Sequence, residues 1–206
     1  MSSNPSHLYT IHDIVLPKSQ HPLVRKLRRA GYEPSLHGNK VWRTSTVLMD
    51  YLLAHPPRKN ARIMDIGCGW GALSTFMAVH FNARVSAVDA DASLQPYVEM
   101  VATLNAVSRV EFIARRFENI TQRDLTGIHT LVGSEICFWD EMTKPLYNLI
   151  RRALRAGVKR ILIADPGRPP FLNLVDLCVD KLDADMFGHT ITQPVKSEKF
   201  ILQVRG

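Results

Sequence analysis

The chain has 206 residues, 46% hydrophobic and 22% charged, which supplies one sizeable core and excludes disorder as the main state. No apolar run approaches the roughly 18 residues of a membrane span, and Met1–Thr10 lacks the charged-then-apolar pattern of a secretory leader. Net charge is +7, and three widely spaced cysteines (Cys68, Cys137, Cys178) fit reduced thiols in a cytoplasmic protein better than a disulfide frame or a zinc site.

The basic excess is N-terminal. Residues 1–60 carry nine basic and three acidic residues, and His21 to Arg29 (HPLVRKLRR) is the densest stretch. This stretch reads as a basic helix over 19–30, stopping at Gly31. An acidic protein or a nucleic acid is the partner that such a segment would hold; a solvated helix face is the plainer reading. Thr44 to Leu53 reads as a second helix, capped by Thr44 or Ser45, with Val47, Leu48 and Tyr51 on one face. The Pro-rich connector His55 to Asn60 follows.

Beyond it, strands and helices alternate. Strands are expected at 61–67, 83–90, 109–114, 129–135 and 159–165. Helices are expected at 72–81, 93–107, 142–156 and 171–184. HTITQ and KFILQVR then form a hairpin. The pattern predicts an α/β fold: a Rossmann-like, doubly wound, mostly parallel sheet with helices on both faces and an antiparallel C-terminal hairpin.

The most informative motif is Asp65-Ile66-Gly67-Cys68-Gly69-Trp70-Gly71, between a strand and a helix. Glycines there allow a tight turn and close approach of a ligand, and the helix N-terminal amides face that ligand. Gly67, Gly69 and Ala72 also satisfy a nicotinamide fingerprint. Asp65 and Asp89 shift the balance: one carboxylate can anchor a cationic amino group, and the other can accept two ribose hydroxyls. Cys68 reads as a small residue packed beside the ligand rather than a redox thiol.

DIGCGWG, VSAVDAD and Leu104-Asn105-Ala106 resemble, in order, the motifs of class I S-adenosylmethionine-dependent methyltransferases. The resemblance covers 41–206 and implies a seven-stranded sheet whose last strand is antiparallel. It leaves 1–40 as a basic N-terminal extension. Val41-Trp42-Arg43, Gly133-Ser134-Glu135-Ile136-Cys137-Phe138 and Ala164-Asp165-Pro166-Gly167-Arg168 resemble the protein-lysine branch related to nicotinamide N-methyltransferase.

That branch implies S-adenosyl-L-methionine as cofactor, held by Trp42, Asp65, Gly67, Cys68, Gly69, Gly71, Asp89, Phe117 and Ser134. It implies Glu135 as the catalytic carboxylate, in an acidic-x-x-aromatic motif closed by Phe138. The faces of Phe138 and Trp139 suit a substrate amine, with core packing the plainer reading, and Arg168 suits an acidic substrate group or the surface. Where the branch usually carries Asp and Tyr, this chain has Glu135 and Phe138, and where it usually has Trp it has Phe117. The other reading of Glu135 is a carboxylate that caps the following helix. Small-amine methylation and a binding module that keeps the fold without catalysis are the competing functions. No metal-ligand spacing is present.

Overall fold

The computed structural model describes residues 7–34, 38, 40–193 and 195–206. The first six residues of the leader reading, part of the 1–40 extension and Pro194 in the C-terminal hairpin lie outside the described residues.

The chain opens with a hairpin that the sequence pattern did not announce: β1 (Leu8–Ile11) antiparallel to β2 (Ile14–Pro17). Its two turn residues, His12 and Asp13, both have positive φ (45° and 60°), the mirror-image turn that matches strand twist. Helix α1 (Pro22–Arg29) is shorter than the expected 19–30. Pro22 starts it, as proline is tolerated in a first turn, and His21 Nδ1 accepts from the Leu23 N–H.

Helix α2 (Arg43–Ala54) begins one residue before the expected caps. Trp42 takes the cap position and makes no capping bond to the helix amides. Ser45 Oγ instead donates back to the Trp42 carbonyl at 2.5 Å, and the Thr44 hydroxyl is spent elsewhere.

The alternating region follows as β3 (Arg62–Ile66), α3 (Ala72–Phe81), β4 (Arg84–Asp89), α4 (Gln95–Leu104), β5 (Val110–Ala114), α5 (Gln122–Leu125), β6 (Thr130–Ser134), α6 (Asp140–Arg155), β7 (Arg160–Asp165), α7 (Pro169–Lys181), β8 (Ala184–Ile191) and β9 (Ser197–Arg205). The expected helix over 171–184 ends earlier, because Leu182 is already extended and Ala184 opens β8. The expected helix over 93–107 becomes a 3-10 turn at Ala92–Leu94 and then α4.

Seven strands form one sheet in the order β5-β4-β3-β6-β7-β9-β8. β3 to β7 are parallel, and β9 runs antiparallel to both β7 and β8. This is the mostly parallel seven-stranded sheet with an antiparallel C-terminal pair that the sequence predicts. Helices cover both faces. One core joins the sheet to α2, α3 and α4, around Leu48, Phe76 and Tyr97. The other joins it to α6 and α7, around Leu149, Phe171 and Leu174. Strand order reverses between β3 and β6, and open α/β sheets bind ligands outside the carboxyl ends of the strands at such a switch point.

The N-terminal segment packs into the first core. Ile14, Leu16 and Val24 are fully buried there. The Asn105 amide after α4 pairs with the backbone of β2, accepting from Val15 N at 2.8 Å and donating to Val15 O at 2.9 Å. Among the described residues, no helix is long and apolar enough to cross a membrane.

Candidate active site

β3 ends at the switch point, and the chain turns through Gly67 to Gly71 into α3. Gly67 has φ +65°, and a Cβ there would lie 2.3 Å from Ile136 Cγ2. Gly67→Ala is therefore expected to destabilise the fold by about 2–5 kcal/mol, adding left-handed strain to overpacking. Thermal unfolding of the variant checks this; an unchanged midpoint would contradict it. Gly69 differs. It is also left-handed (φ +53°), but a Cβ there would meet nothing within 4 Å, so its backbone faces open space.

Two contacts fix the loop against β4. Cys68 N–H donates to Val88 O at 3.1 Å. Gly69 N–H donates to one oxygen of Asp89 at 3.1 Å, and the other oxygen accepts from Asp91 N–H at 3.1 Å. Burial raises the Asp89 carboxyl above its ordinary value, with these amide bonds opposing. The Cys68 thiol is raised well above its ordinary value by burial, then by Asp65 and Asp89. A thiol so raised favours its protonated form over a reactive thiolate.

Asp65, next to last in β3, is 2% exposed. Ser74 Oγ, from the first turn of α3, donates to it at 2.6 Å. Burial pushes its carboxyl up to about 7; the Ser74 bond lowers it and the nearby Asp89 raises it. A lone carboxylate in such a place awaits a cation.

Asp65, Gly67, Cys68 and Gly69 line a narrow cleft together with Trp42 and Ser134. Ser134 Oγ is buried and has no hydrogen-bond partner, and such an unmade bond costs about 1–3 kcal/mol. An orphaned hydroxyl, a buried carboxylate without a cation and an open glycine backbone together suit a polar, cationic ligand. Gly71 caps α3 in left-handed conformation against Val98.

Glu135 follows Ser134 of this cleft, immediately after β6. It is a non-glycine residue with φ +53° and is 8% exposed. Its N–H donates to Ala164 O at 2.9 Å. One carboxylate oxygen accepts from the Thr44 hydroxyl, and the other from Arg168 Nη2 at 2.5 Å. Arg168 Nη1 also donates to Asp165 at 2.9 Å. Asp165 is fully buried, and its second oxygen accepts from the amides of Gly167 and Arg168. Four residues from three segments thus meet in one polar chain, Thr44–Glu135–Arg168–Asp165.

The Arg168 guanidinium lies 4.5 Å from the Phe138 ring centre. Phe138 contacts Trp42 (5.9 Å) and Trp139 (5.8 Å). The Lys40 ammonium lies 4.2 Å over Trp42, and Trp139 is 51% exposed. An aromatic wall with cations against its faces therefore leads from the cleft to the surface.

A family profile described as a methyltransferase domain matches residues 63–157. The chain is 30% identical over 132 residues to the electron transfer flavoprotein beta subunit lysine methyltransferase of Xenopus laevis, covering 63% of this chain and 52% of that protein. It is 32% identical over 77 residues to the ubiquinone biosynthesis O-methyltransferase of Neisseria meningitidis, covering 37% and 32%. Its fold is similar to that of the magnesium protoporphyrin IX methyltransferase of Synechocystis, solved with bound cofactor: TM-score 0.63, 16% identity, 91% of this chain and 86% of that one. Residues 63–157 carry a methyltransferase domain, on a fold shared with S-adenosylmethionine-dependent methyltransferases. The chain spans about half the length of the lysine methyltransferases that it matches.

On this methyltransferase fold, six expected cofactor residues (Trp42, Asp65, Gly67, Cys68, Gly69, Ser134) line one cleft. Asp89 and Gly71 hold its glycine loop. Phe117 is not among the cleft's lining residues. It opens a 3-10 turn, packs at the edge of the second core, and its carbonyl accepts from Arg152 at 2.7 Å. Glu135, Phe138, Trp139 and Arg168 form one cluster beside the cleft. Glu135 accepts from side chains rather than from backbone amides of the next helix, which differs from the capping alternative. Thr44, Lys40 and Asp165 were not singled out for function by the sequence. Thr44 had a visible signal as a hydroxyl at a helix start, read there as a cap.

Proposed function

We propose that this chain transfers the methyl group of S-adenosylmethionine to a lysine side chain of a protein. The observation that carries the reading is the cleft itself: the buried, cation-free Asp65 and the orphaned Ser134 hydroxyl open directly beside the Glu135–Phe138 turn. The similarity to lysine methyltransferases of the electron transfer flavoprotein beta subunit supports the choice of acceptor.

In this reading Asp65 holds the cofactor's amino group and Asp89 its ribose. Gly67, Gly69 and Gly71 let backbone approach it, Cys68 and Trp42 pack against it, and Ser134 supplies the missing polar contact. Phe117, in the 3-10 turn after β5, flanks the adenine. The bound cofactor supplies an activated methyl group on a cationic sulfur. The protein's part is to align an unprotonated amine and exclude water. Glu135 orients the arriving ammonium, and Phe138 and Trp139 offer it aromatic faces. Arg168 keeps Glu135 in place. A guanidinium near the port also disfavours a second positive charge, which favours the neutral, nucleophilic amine.

The methyltransferase domain is proposed to span 41–206 and the basic segment 1–40 to precede it. Three free, buried cysteines support a cytoplasmic setting. If the exposed face of α1 holds an acidic part of the substrate, neutralising Arg25, Lys26, Arg28 and Arg29 together weakens substrate use at low salt and leaves cofactor affinity unchanged. The difference shrinks at high salt, where screening has already removed the attraction. Equal turnover of both forms at low salt would assign the charges to solvent.

Similarity to the ubiquinone O-methyltransferase favours a second reading, a small-molecule acceptor. Two experiments test the proposal. Calorimetry with S-adenosylhomocysteine and with NAD is expected to give binding of the first alone; NAD binding without a response to S-adenosylhomocysteine would overturn it. Incubation with methyl-labelled cofactor and a cell extract, separated into protein, RNA and small-molecule fractions, is expected to label protein.

A further inference from the structure

The opposite end of the sheet carries a second cavity, of about 540 Å3, where the chain enters β3, β6 and β7. Its charged lining is entirely of one sign, Arg58, Lys59, Arg62 and Lys159, with His129 beside them and no carboxylate. These residues come from three separate loops, the 55–61 connector, the turn after α5 and the turn after α6. Among the described residues none of Arg58, Lys59 and Lys159 is paired with an acidic side chain. Burial, then Arg58, Arg160 and Lys159, push the His129 imidazole below its ordinary value, as a field of uncompensated cations does.

The cations are not explained by local structure. Helix carbonyls at the end of α6 favour positive charge nearby, but Arg155 already occupies that last turn. Arg58 and Lys59 follow the end of α2 at Ala54 but lie past its last turn, beyond the reach of the helix-end effect. The positive edge also extends beyond the cavity. Arg84 opens β4 in register with Arg62, and Arg109 precedes β5. Every one of the five parallel strands thus starts at or just after a basic residue. Gathering like charges costs free energy unless a counter-charge is bound.

We propose that this cavity is a binding site for a small molecule bearing two or more phosphate groups. Its volume lies in the range of small-ligand sites, roughly 300–1,000 Å3. Backbone amides in its wall are already spent, His129 N on Arg62 O and Lys159 N on His129 O, so recognition falls to the side-chain cations. No aromatic ring lines the cavity apart from His129, and single-stranded nucleic acid depends on such rings for stacking. The cavity lies across the sheet from the cofactor cleft, so the site does not depend on the proposed methyl transfer.

The test uses the full chain and inorganic tripolyphosphate, titrated by calorimetry at low salt. Saturable binding is expected, weakened at least tenfold in the Arg58→Ala/Lys59→Ala/Lys159→Ala variant, with S-adenosylhomocysteine affinity unchanged. All three side chains are exposed, so the variant is expected to fold, and its melting midpoint checks that. Lys59→Glu alone serves as the second variant, with a smaller loss. On binding, the His129 ring resonances are expected to move toward the imidazolium form. No binding at millimolar tripolyphosphate, or binding that the triple variant retains, overturns the site. Tighter binding of duplex RNA, lost in the same variant, overturns the small-molecule assignment in favour of a nucleic-acid surface.

Discussion

Asp65→Asn is expected to weaken S-adenosylhomocysteine binding by roughly 10²–10³-fold and, at the same time, to make the free protein more stable at pH 8. The first effect is the loss of an ion pair in a buried place, about 3–5 kcal/mol when one partner is removed. The second follows from the direction of the Asp65 shift. Its carboxyl is pushed up to about 7 in the fold, well above the usual carboxylate value, so the fold favours the protonated form. That contribution to stability is fully present below about pH 4. It is lost as pH rises through about 7, because the unfolded chain then releases a proton that the fold retains. The free protein is therefore expected to melt at lower temperature at pH 8 than at pH 5 through this group, and the Asn variant to lack this component. Cofactor affinity should run the other way, rising through about pH 7 as Asp65 ionises to meet the ligand's ammonium. Calorimetry at pH 6 and pH 8, with melting curves at pH 5 and pH 8, measures both. Unchanged affinity in Asp65→Asn would remove Asp65 from the cofactor site.

Glu135→Gln is expected to cut kcat/KM by about 10–100-fold, mostly through KM, and to cost about 1.5–3 kcal/mol of stability, the range for a hydrogen bond to a charged group. Both carboxylate oxygens already accept, one from Thr44 and one from Arg168, which suits a group that orients an amine more than one that strips its proton. A general base would show instead as a fall of about 10²–10⁴ in kcat. Thr44→Val should shift KM in the same direction by less, since it frees one oxygen without removing the charge. Normal KM and kcat in the folded fraction of Glu135→Gln, together with lost stability, would make the residue purely structural.

The cleft and the polar chain beside it differ in how far the sequence exposed them. A short apolar run ended by Gly67 and an amphipathic run ended by Gly157 gave β3 and α6 within two residues, because punctuation by glycine is local. The cleft's glycine loop was legible for the same reason: Asp65 to Gly71 is one continuous segment. The polar chain Thr44–Glu135–Arg168–Asp165 was not. It joins residues more than 90 positions apart, and nothing near Thr44 marks its partner. The N-terminal hairpin was invisible because its strands have four residues each and its turn is His12-Asp13 rather than a glycine pair. Helix α7 was read too long because its amphipathic pattern runs on past Lys181 with no glycine to stop it.

The tie between Asn105 and Val15 has a consequence for the order of assembly. A two-stranded hairpin is marginal by itself in water, and the surface that covers this one belongs to α3 and α4. Its clamp lies 90 positions further along the chain. During synthesis at about 5–20 residues per second, β1 and β2 emerge ahead of α3 and α4 and wait several seconds for the helices that hold them. This hairpin is thus made early and ordered late, with Ile14 and Leu16 open to water, and to chaperones, in the interval.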